Sequence, residues 1–321
     1  MKIHCNILLI IGNGFDLDLG LKTGYSEFIK SKFFNPSTGL SQYLEEKYQI
    51  QNWIDLENEL KSYIEELKER LIRTAYYRND KEKQNVLNNK LIDHKESIAS
   101  DYYKLIKNLM SYLNSLNYEI INKNSYAASL ISILSKINGL SAITFNYTNL
   151  KEISNLLNSP LVSPKHVHGS LKESDIILGF EDNVDVNDNL CFMIKSHSPH
   201  FRSCNIRDSL EKADEIIFFG HSLGMTDYHY FEDFFLKQSG AMGSSDIKKK
   251  KIRIFTYDEN SRQEILIQLR TMNNKRINEL YDLNDFAIYR TKNEIDDNKI
   301  KQYFSELRKY TEEIDESLLL I

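Results

Sequence analysis

The sequence predicts an α/β fold: a Rossmann-like, mostly parallel sheet flanked by helices, with a helical insertion after the first strand. Three observations predict it. Apolar runs of strand length recur along the chain, and each ends in a small or polar turn. Helix-compatible stretches separate the runs, which is the pattern of a parallel sheet with helical crossovers. Residues 41–138, between the first two runs, carry helical periodicity and no strong strand signal.

The first run, "NILLIIGNGFD" (6–16), is continuously apolar until Gly12-Asn13-Gly14. Hydrophobicity on both sides of a strand suits a central position in a parallel sheet. The stretch that follows, "FDLDLGLKTGYS", reads as irregular until about Tyr25. In the insertion, Leu56, Leu60, Ile64, Leu67 and Leu71 recur at helical spacing, and Leu105, Leu109, Leu113 and Leu116 repeat the pattern. The polar segment 77–97 between them reads as a loop or a solvated helix end. Further strands are expected in "LSAITFNYT" (140–148), "DEIIFFGHS" (214–222), "KIRIFTYDE" (251–259) and, more weakly, "FAIYRT" (286–291), with a short element at "KHVHGS". The four prolines, Pro36, Pro160, Pro164 and Pro199, all fall in connections. The division that results is 1–40 with 139–321 as the Rossmann-like domain, and 41–138 as the insertion.

At 321 residues, 41% hydrophobic and 27% charged, the chain has the composition of a globular protein with a sizeable core. A formal charge of −5 gives no electrostatic reason to expect nucleic acid as a partner. The one basic run, Lys248 to Lys251, reads as a solvated loop. Three cysteines form no disulfide framework, and no apolar stretch reaches membrane-spanning length, so a cytoplasmic protein with no membrane partner is expected. Cys191, His197, His200 and Cys204 lie close in sequence, but their spacing fits no strong zinc template, and no metal site is assigned.

"IIFFGHSLGMTDY" (216–228) has the G-x-S-x-G form of a nucleophile elbow around Ser222. A serine hydrolase of that type needs a later histidine as base. The only one, His229, lies about two turns into the helix expected next and is poorly placed to return. A glycine turn after a parallel strand has another use, which is to let backbone approach a phosphate or ribose. Open α/β sheets bind ligands at the carboxyl ends of their strands. Three such ends here are polar: Gly12-Asn13-Gly14-Phe15-Asp16, Asn146-Tyr147-Thr148 and Gly220-His221-Ser222, with His166, His168 and Gly169 supplied by "KHVHGS". Gly12-x-Gly14 is not a full dinucleotide fingerprint, since position 17 is leucine, so a hydride-transferring dehydrogenase is not expected.

In order along the chain, "LLIIGNGFDLDLGLKTGYSEF", "NWIDLENEL", "TFNYTNLKEI", "HVHGSL", "ILGF" and "IIFFGHSLGMTDYHYF" resemble the signatures of the AbiH family of bacterial abortive-infection proteins. A more distant resemblance, through "GNGFD", "TFNYTNL", "HVHGSL" and "GHSLG", is to sirtuin-like NAD-binding domains. That resemblance implies NAD+ as substrate rather than as a resident cofactor. It places Asn146 near the nicotinamide ribose and makes His168 the base. Gly12, Asn13, Gly14, Phe15, Gly169, Gly220, His221, Ser222 and Asp227 then form the binding set. Thr148 stands where sirtuins carry Asp, and their paired CxxC motifs are absent. Deacetylation is therefore not expected, and NAD+ glycohydrolysis at the nicotinamide–ribose bond is the implied activity.

On that reading Asp16 binds ribose or stabilises the oxocarbenium ion, Asn146 holds the water, and His168 withdraws a proton. Local roles stand beside these. Asn146 fits a backbone bond at a strand end, His168 a buried core histidine, and Asp16 and Asp227 helix caps. Thr148 and Asn149 also fit caps, with Glu152 three residues after Asn149. Trp53 reads as an anchor and Asp55 as a cap, with Glu57 unassigned. Two alternatives remain open: a metal-dependent nuclease using Asp16, Asp227 and His168, and a non-catalytic nucleotide sensor. A homo-oligomer or a phage-derived trigger is left open as a partner.

Overall fold

The computed structural model describes residues 6–52, 54–73, 77–182, 184–243 and 247–318; Trp53 lies outside them. Six strands run β1 (Ile7–Ile11), β2 (Leu140–Thr144), β3 (Lys165–His166), β4 (Glu215–Phe219), β5 (Lys251–Thr256) and β6 (Asp285–Arg290). The helices up to β2 are α1 (Asn13–Asp18), α2 (Tyr25–Ile29), α3 (Gly39–Gln51), α4 (Leu56–Ile72), α5 (Asp80–Asn114) and α6 (Tyr126–Leu134). Those that follow are α7 (Leu150–Leu156), α8 (Ile206–Lys212), α9 (Tyr228–Gln238), α10 (Glu259–Met272), α11 (Ile277–Leu283) and α12 (Asp297–Leu318). The chain divides into two units: Met1–Lys22, Asn117–Val167 and Arg202–Ile321 form the first, and Thr23–Leu116 with His168–Phe201 the second.

In the first unit every paired strand is parallel, and the order is β3-β2-β1-β4-β5-β6. This is the doubly wound order of Rossmann-like folds, whose direction reverses between the strands here numbered β1 and β4. The apolar run predicts the central place of β1. Ile7, Leu9 and Ile11 enter a core shared with α1, α6, α7 and α12. Leu8 and Ile10 enter a second core with α8, α9, α10 and α11. All five residues are buried, each contributing about 1.5–3 kcal/mol of burial free energy. β3 is only two residues long, pairing Lys165 with Ile143 and His166 with Thr144.

The Lys248–Lys251 run is not simply solvated. Lys250 is buried, and its ammonium donates to the carbonyls of Leu210 at 3.3 Å and Glu211 at 2.6 Å, capping the end of α8. Desolvation lowers its pKa from the ordinary lysine value.

In the second unit, α4 and the last turns of α5 follow the leucine periodicity. Of the segment 77–97, expected as a loop or helix end, residues 80–97 are instead the first half of the 35-residue α5. Asn79 caps it by accepting from Glu82 N at 2.9 Å, and Asp80 and Glu82 suit the positive end of the helix. Leu87, Leu91 and Ile98 supply its buried stripe; polar neighbours hide that stripe in the sequence. In the first unit the helix after Gly12 opens at once, where an irregular stretch was expected, but α1 has only six residues.

Candidate functional site

The polar strand ends of the first unit meet at the β1/β4 reversal. Past the ends of the strands the two chains stay hydrogen-bonded: Gly12 N donates to Phe219 O at 3.0 Å, and Gly14 N to Gly220 O at 2.9 Å. Glycine is required on both sides. A Cβ on Gly12 would stand 2.6 Å from His221 Cα. Gly220 has φ +64°, and a Cβ there would stand 2.3 Å from Phe15 N. The close approach is therefore between the two turns themselves, with Asn13 and Phe15 in the first turn of α1.

Asp16, one residue further, is 1% exposed. Its Oδ2 accepts from Thr148 Oγ1 at 2.8 Å, and its Oδ1 is buried without a hydrogen-bond partner among the described residues. Burial pushes the carboxyl up to about 7; the Thr148 hydroxyl and the neighbouring Asn146 amide pull the other way but do not cancel it. Asn146 Nδ2 donates to Gly12 O at 3.1 Å, so the end of β2 is tied to the first turn. His166 Nδ1 lies 3.3 Å from Asn146 O. Three of the residues singled out in the sequence, Gly12, Asp16 and Asn146, thus form one network with Thr148. Asp16 lies inside α1 and Thr148 bonds Asp16, so neither is the helix cap they also fitted; Asn149 does cap α7, accepting from Glu152 N at 3.3 Å.

The elbow belongs to the same rim. His221 Nδ1 accepts from Leu223 N at 3.0 Å, which leaves Nε2 to carry the ring proton; Nε2 lies 3.5 Å from Asp227 Oδ2, with no hydrogen bond to it among the described residues. The ring is buried edge-on against Phe145, with centroids 4.4 Å apart. Asp227 occupies the N-cap position of α9 but makes no capping bond; it faces His221 instead. Ser222 is exposed, and among the described residues its Oγ accepts only the local N–H of Gly224 at 3.3 Å. The shape is that of an elbow, but its histidine is wedged under the turn as a strut.

His168 belongs to the second unit, two residues beyond the point where His166 leaves β3. Gly169, at φ +73°, turns the chain so closely that a Cβ would stand 2.0 Å from Asp175 O. Ser170 N donates to Asp175 Oδ1 at 2.7 Å, and Ile177 N to His168 O at 2.9 Å. The bridge between Phe180 and Ile194 sets Lys195 beside Glu181. The Lys195 ammonium lies 2.9 Å from Glu57 Oε2, 2.9 Å from Glu181 Oε1 and 3.3 Å from His168 Nε2. Asp55 caps α4, as expected, through Glu57 N at 3.0 Å and Asn58 N at 3.3 Å. That cap points the first-turn Glu57 into this cluster. Sequence reasoning missed Lys195; the signal available was a cation closing the apolar run "LCFMIK".

Cys191 and Cys204, once grouped with His197 and His200, fall in different units. Their thiols lie against the backbone carbonyls of Asn187 at 3.9 Å and His166 at 3.5 Å.

A match to the family described as "Bacteriophage abortive infection AbiH" spans residues 8–245. The chain belongs to the AbiH family. No curated protein matches it. This AbiH-family member is therefore a phage-defence protein on a Rossmann-like, nucleotide-binding type of fold. No helix among the described residues is long and apolar enough to cross a membrane. In chemical terms this AbiH chain offers a carboxyl near neutral pKa at the reversal of its sheet. Its second unit offers oxygen and nitrogen donors, with His168 and Glu181 ligand atoms within 4.8 Å of one another.

Proposed function

We propose that this AbiH-family protein is a phage-defence enzyme that hydrolyses a nucleotide bound at the carboxyl ends of β1, β2 and β4, with NAD+ as the substrate and its nicotinamide–ribose bond as the bond cleaved. The observation that carries the proposal is Asp16: a buried carboxyl, pushed up to about 7, at the point of the fold where Rossmann-like sheets take their ligands. Such a group is part ionised at physiological pH. As carboxylate it stabilises positive charge developing on the ribose, or takes a proton from the attacking water. Water adds to the anomeric carbon as the carbon–nitrogen bond breaks. Nicotinamide, ADP-ribose and one proton are released. Asn146 orients the first turn through Gly12 and is proposed to hold the water. Gly12 to Phe15, Gly220 to Ser222 and Asp227 are proposed to frame the ligand; His168, which Gly169 follows in the second unit, is proposed to be a second proton-transfer group.

Purified protein incubated with NAD+ tests this directly. Expected are nicotinamide and ADP-ribose in equal amounts, abolished by Asp16→Asn and by His168→Ala in folded protein. Full activity in both variants would sink the mechanism. Tight nucleotide binding without turnover would select the sensor reading instead.

A second reading, a metal-dependent nuclease, is favoured by the donors His168 and Glu181. Carboxylate and imidazole suit a divalent ion, which when bound would supply Lewis-acid polarisation of a phosphodiester and an activated water. Fitted to the second unit, that ion meets an obstacle, because the Lys195 ammonium already lies against both donors. RNA or DNA cleavage that appears with Mn2+ and disappears with chelator would select this reading.

A further inference from the structure

We propose that Lys195 is the built-in cation of the Glu57–Glu181–His168 cluster: it takes the place a divalent ion would fill and holds His168 with its proton on Nδ1. The inference deepens the reading in which His168 transfers a proton and rests on it for its functional meaning.

An ammonium has three N–H donors and no acceptor. Lys195 donates to Glu57 Oε2 at 2.9 Å, lies at ion-pair distance, 2.9 Å, from Glu181 Oε1, and meets the imidazole nitrogen of His168 at 3.3 Å. Its side chain is 1% exposed, and those of Glu57 and Glu181 are 9% and 12% exposed. Removing a charge from water at such a site requires compensation close by, and here the lysine and the two carboxylates compensate one another. Because an ammonium can only donate, Nε2 of His168 must present its lone pair, and the ring proton of the neutral imidazole then sits on Nδ1. A proton that His168 gives up from Nδ1 is therefore made good at Nε2 from the Lys195 ammonium, so the ring relays a proton and does not act as a base through Nε2. Lys195 is a positioning residue, since it acts through the histidine.

The same geometry bears on metals. Carboxylate and imidazole ligands stand about 2.0–2.2 Å from a zinc ion. The two carboxylate oxygens and the imidazole nitrogen lie 2.9 to 3.3 Å from the ammonium. An entering ion would need a tighter cage and would meet a tethered positive charge. Deleting that charge leaves two buried carboxylates and an imidazole, a donor set that divalent ions bind well.

Two measurements on the full chain test the proposal. Nitrogen-15 NMR of histidine-labelled wild-type protein should show His168 with Nε2 unprotonated and Nδ1 protonated, a pattern kept in Lys195→Arg and lost in Lys195→Met. Titration with Mn2+ alone should show no binding that depends on Glu57 in the wild type. It should show one bound ion per chain in Lys195→Ala, lost again when Glu57→Gln is added. A protonated Nε2 in the wild type overturns the inference. So does wild-type Mn2+ binding that Glu57→Gln abolishes. The wild-type spectrum needs no variant to fold, and neither measurement depends on NAD+ turnover. Failure of the catalytic reading and failure of this one therefore give different results.

Discussion

Replacing Asp16 by Asn separates the carboxyl's ionisation from its shape. The amide keeps the size and can still accept from the Thr148 hydroxyl, so the perturbation is the charge alone. An ordinary aspartate titrates at 3.8, whereas folding pushes Asp16 up to about 7 because burial disfavours the carboxylate. Between those values the folded state holds a proton that the unfolded chain has released. Stability therefore falls as pH rises through that window, and the full penalty is present above about 7. From 3.8 to about 7, at roughly 1.4 kcal/mol per pH unit, the ionised carboxyl costs the fold about 4 kcal/mol. The prediction is that Asp16→Asn and wild type melt together near pH 4. At pH 8 the variant melts several degrees higher, the gap opening between pH 4 and 7. The assay is thermal unfolding of both proteins across that range, with turnover measured alongside. Turnover should drop by about 10²-fold or more at every pH, so stability is gained where function is lost. A pH-independent gap, or a variant less stable than wild type at pH 8, would refute the reasoning.

Thr148→Val removes the hydroxyl that holds Asp16 down, so the acid limb of the pH–rate profile should move to higher pH; an unmoved profile would detach Asp16 from catalysis. Gly220→Ala puts a Cβ against Phe15 N at a positive φ and should destabilise by about 2 kcal/mol or more, read by melting temperature; a neutral effect would show that the two turns can separate. Ser222→Ala should leave turnover within a few-fold of wild type, because among the described residues the exposed hydroxyl bonds only the Gly224 N–H and no base. Loss of turnover at saturating substrate would restore the nucleophile reading.

The sheet was legible because parallel strands buried on both faces read as unbroken apolar runs, and each run from Ile7 to Arg290 found its place. α5 was less legible. Its buried stripe of Leu87, Leu91 and Ile98 is diluted by Lys, Asn, Asp and Glu, so local polarity masks a long helix. At the strand ends, residue type identified Asp16 and Asn146, but not the bond from Thr148, which depends on the register between β1 and β2. The Lys195 cluster was illegible for a similar reason. Glu57, His168, Glu181 and Lys195 are distant in sequence, and only the turns at Gly169 and Gly179 bring the last three together.

The glycines change meaning once the geometry is known. In a dinucleotide fingerprint the first turn is open, its amides aim at a pyrophosphate, and a third glycine lets the helix pack closely. Here the Gly14 amide is bonded to Gly220 O, and position 17 is a leucine that is half exposed. Glycine at 12, 14 and 220 is explained by two turns packing backbone to backbone. The polar groups left at the reversal are therefore side chains: the Asp16 carboxyl with its bond from Thr148, and the Asn146 amide that ties β2 to the first turn. A phosphate cradle favours anions. A buried carboxyl favours a ribose hydroxyl or positive charge forming beside it, and its charge opposes a phosphate. Of the parts of a nucleotide, the ribose and the cationic leaving ring match that group, and this directs the proposed chemistry to the glycosidic bond.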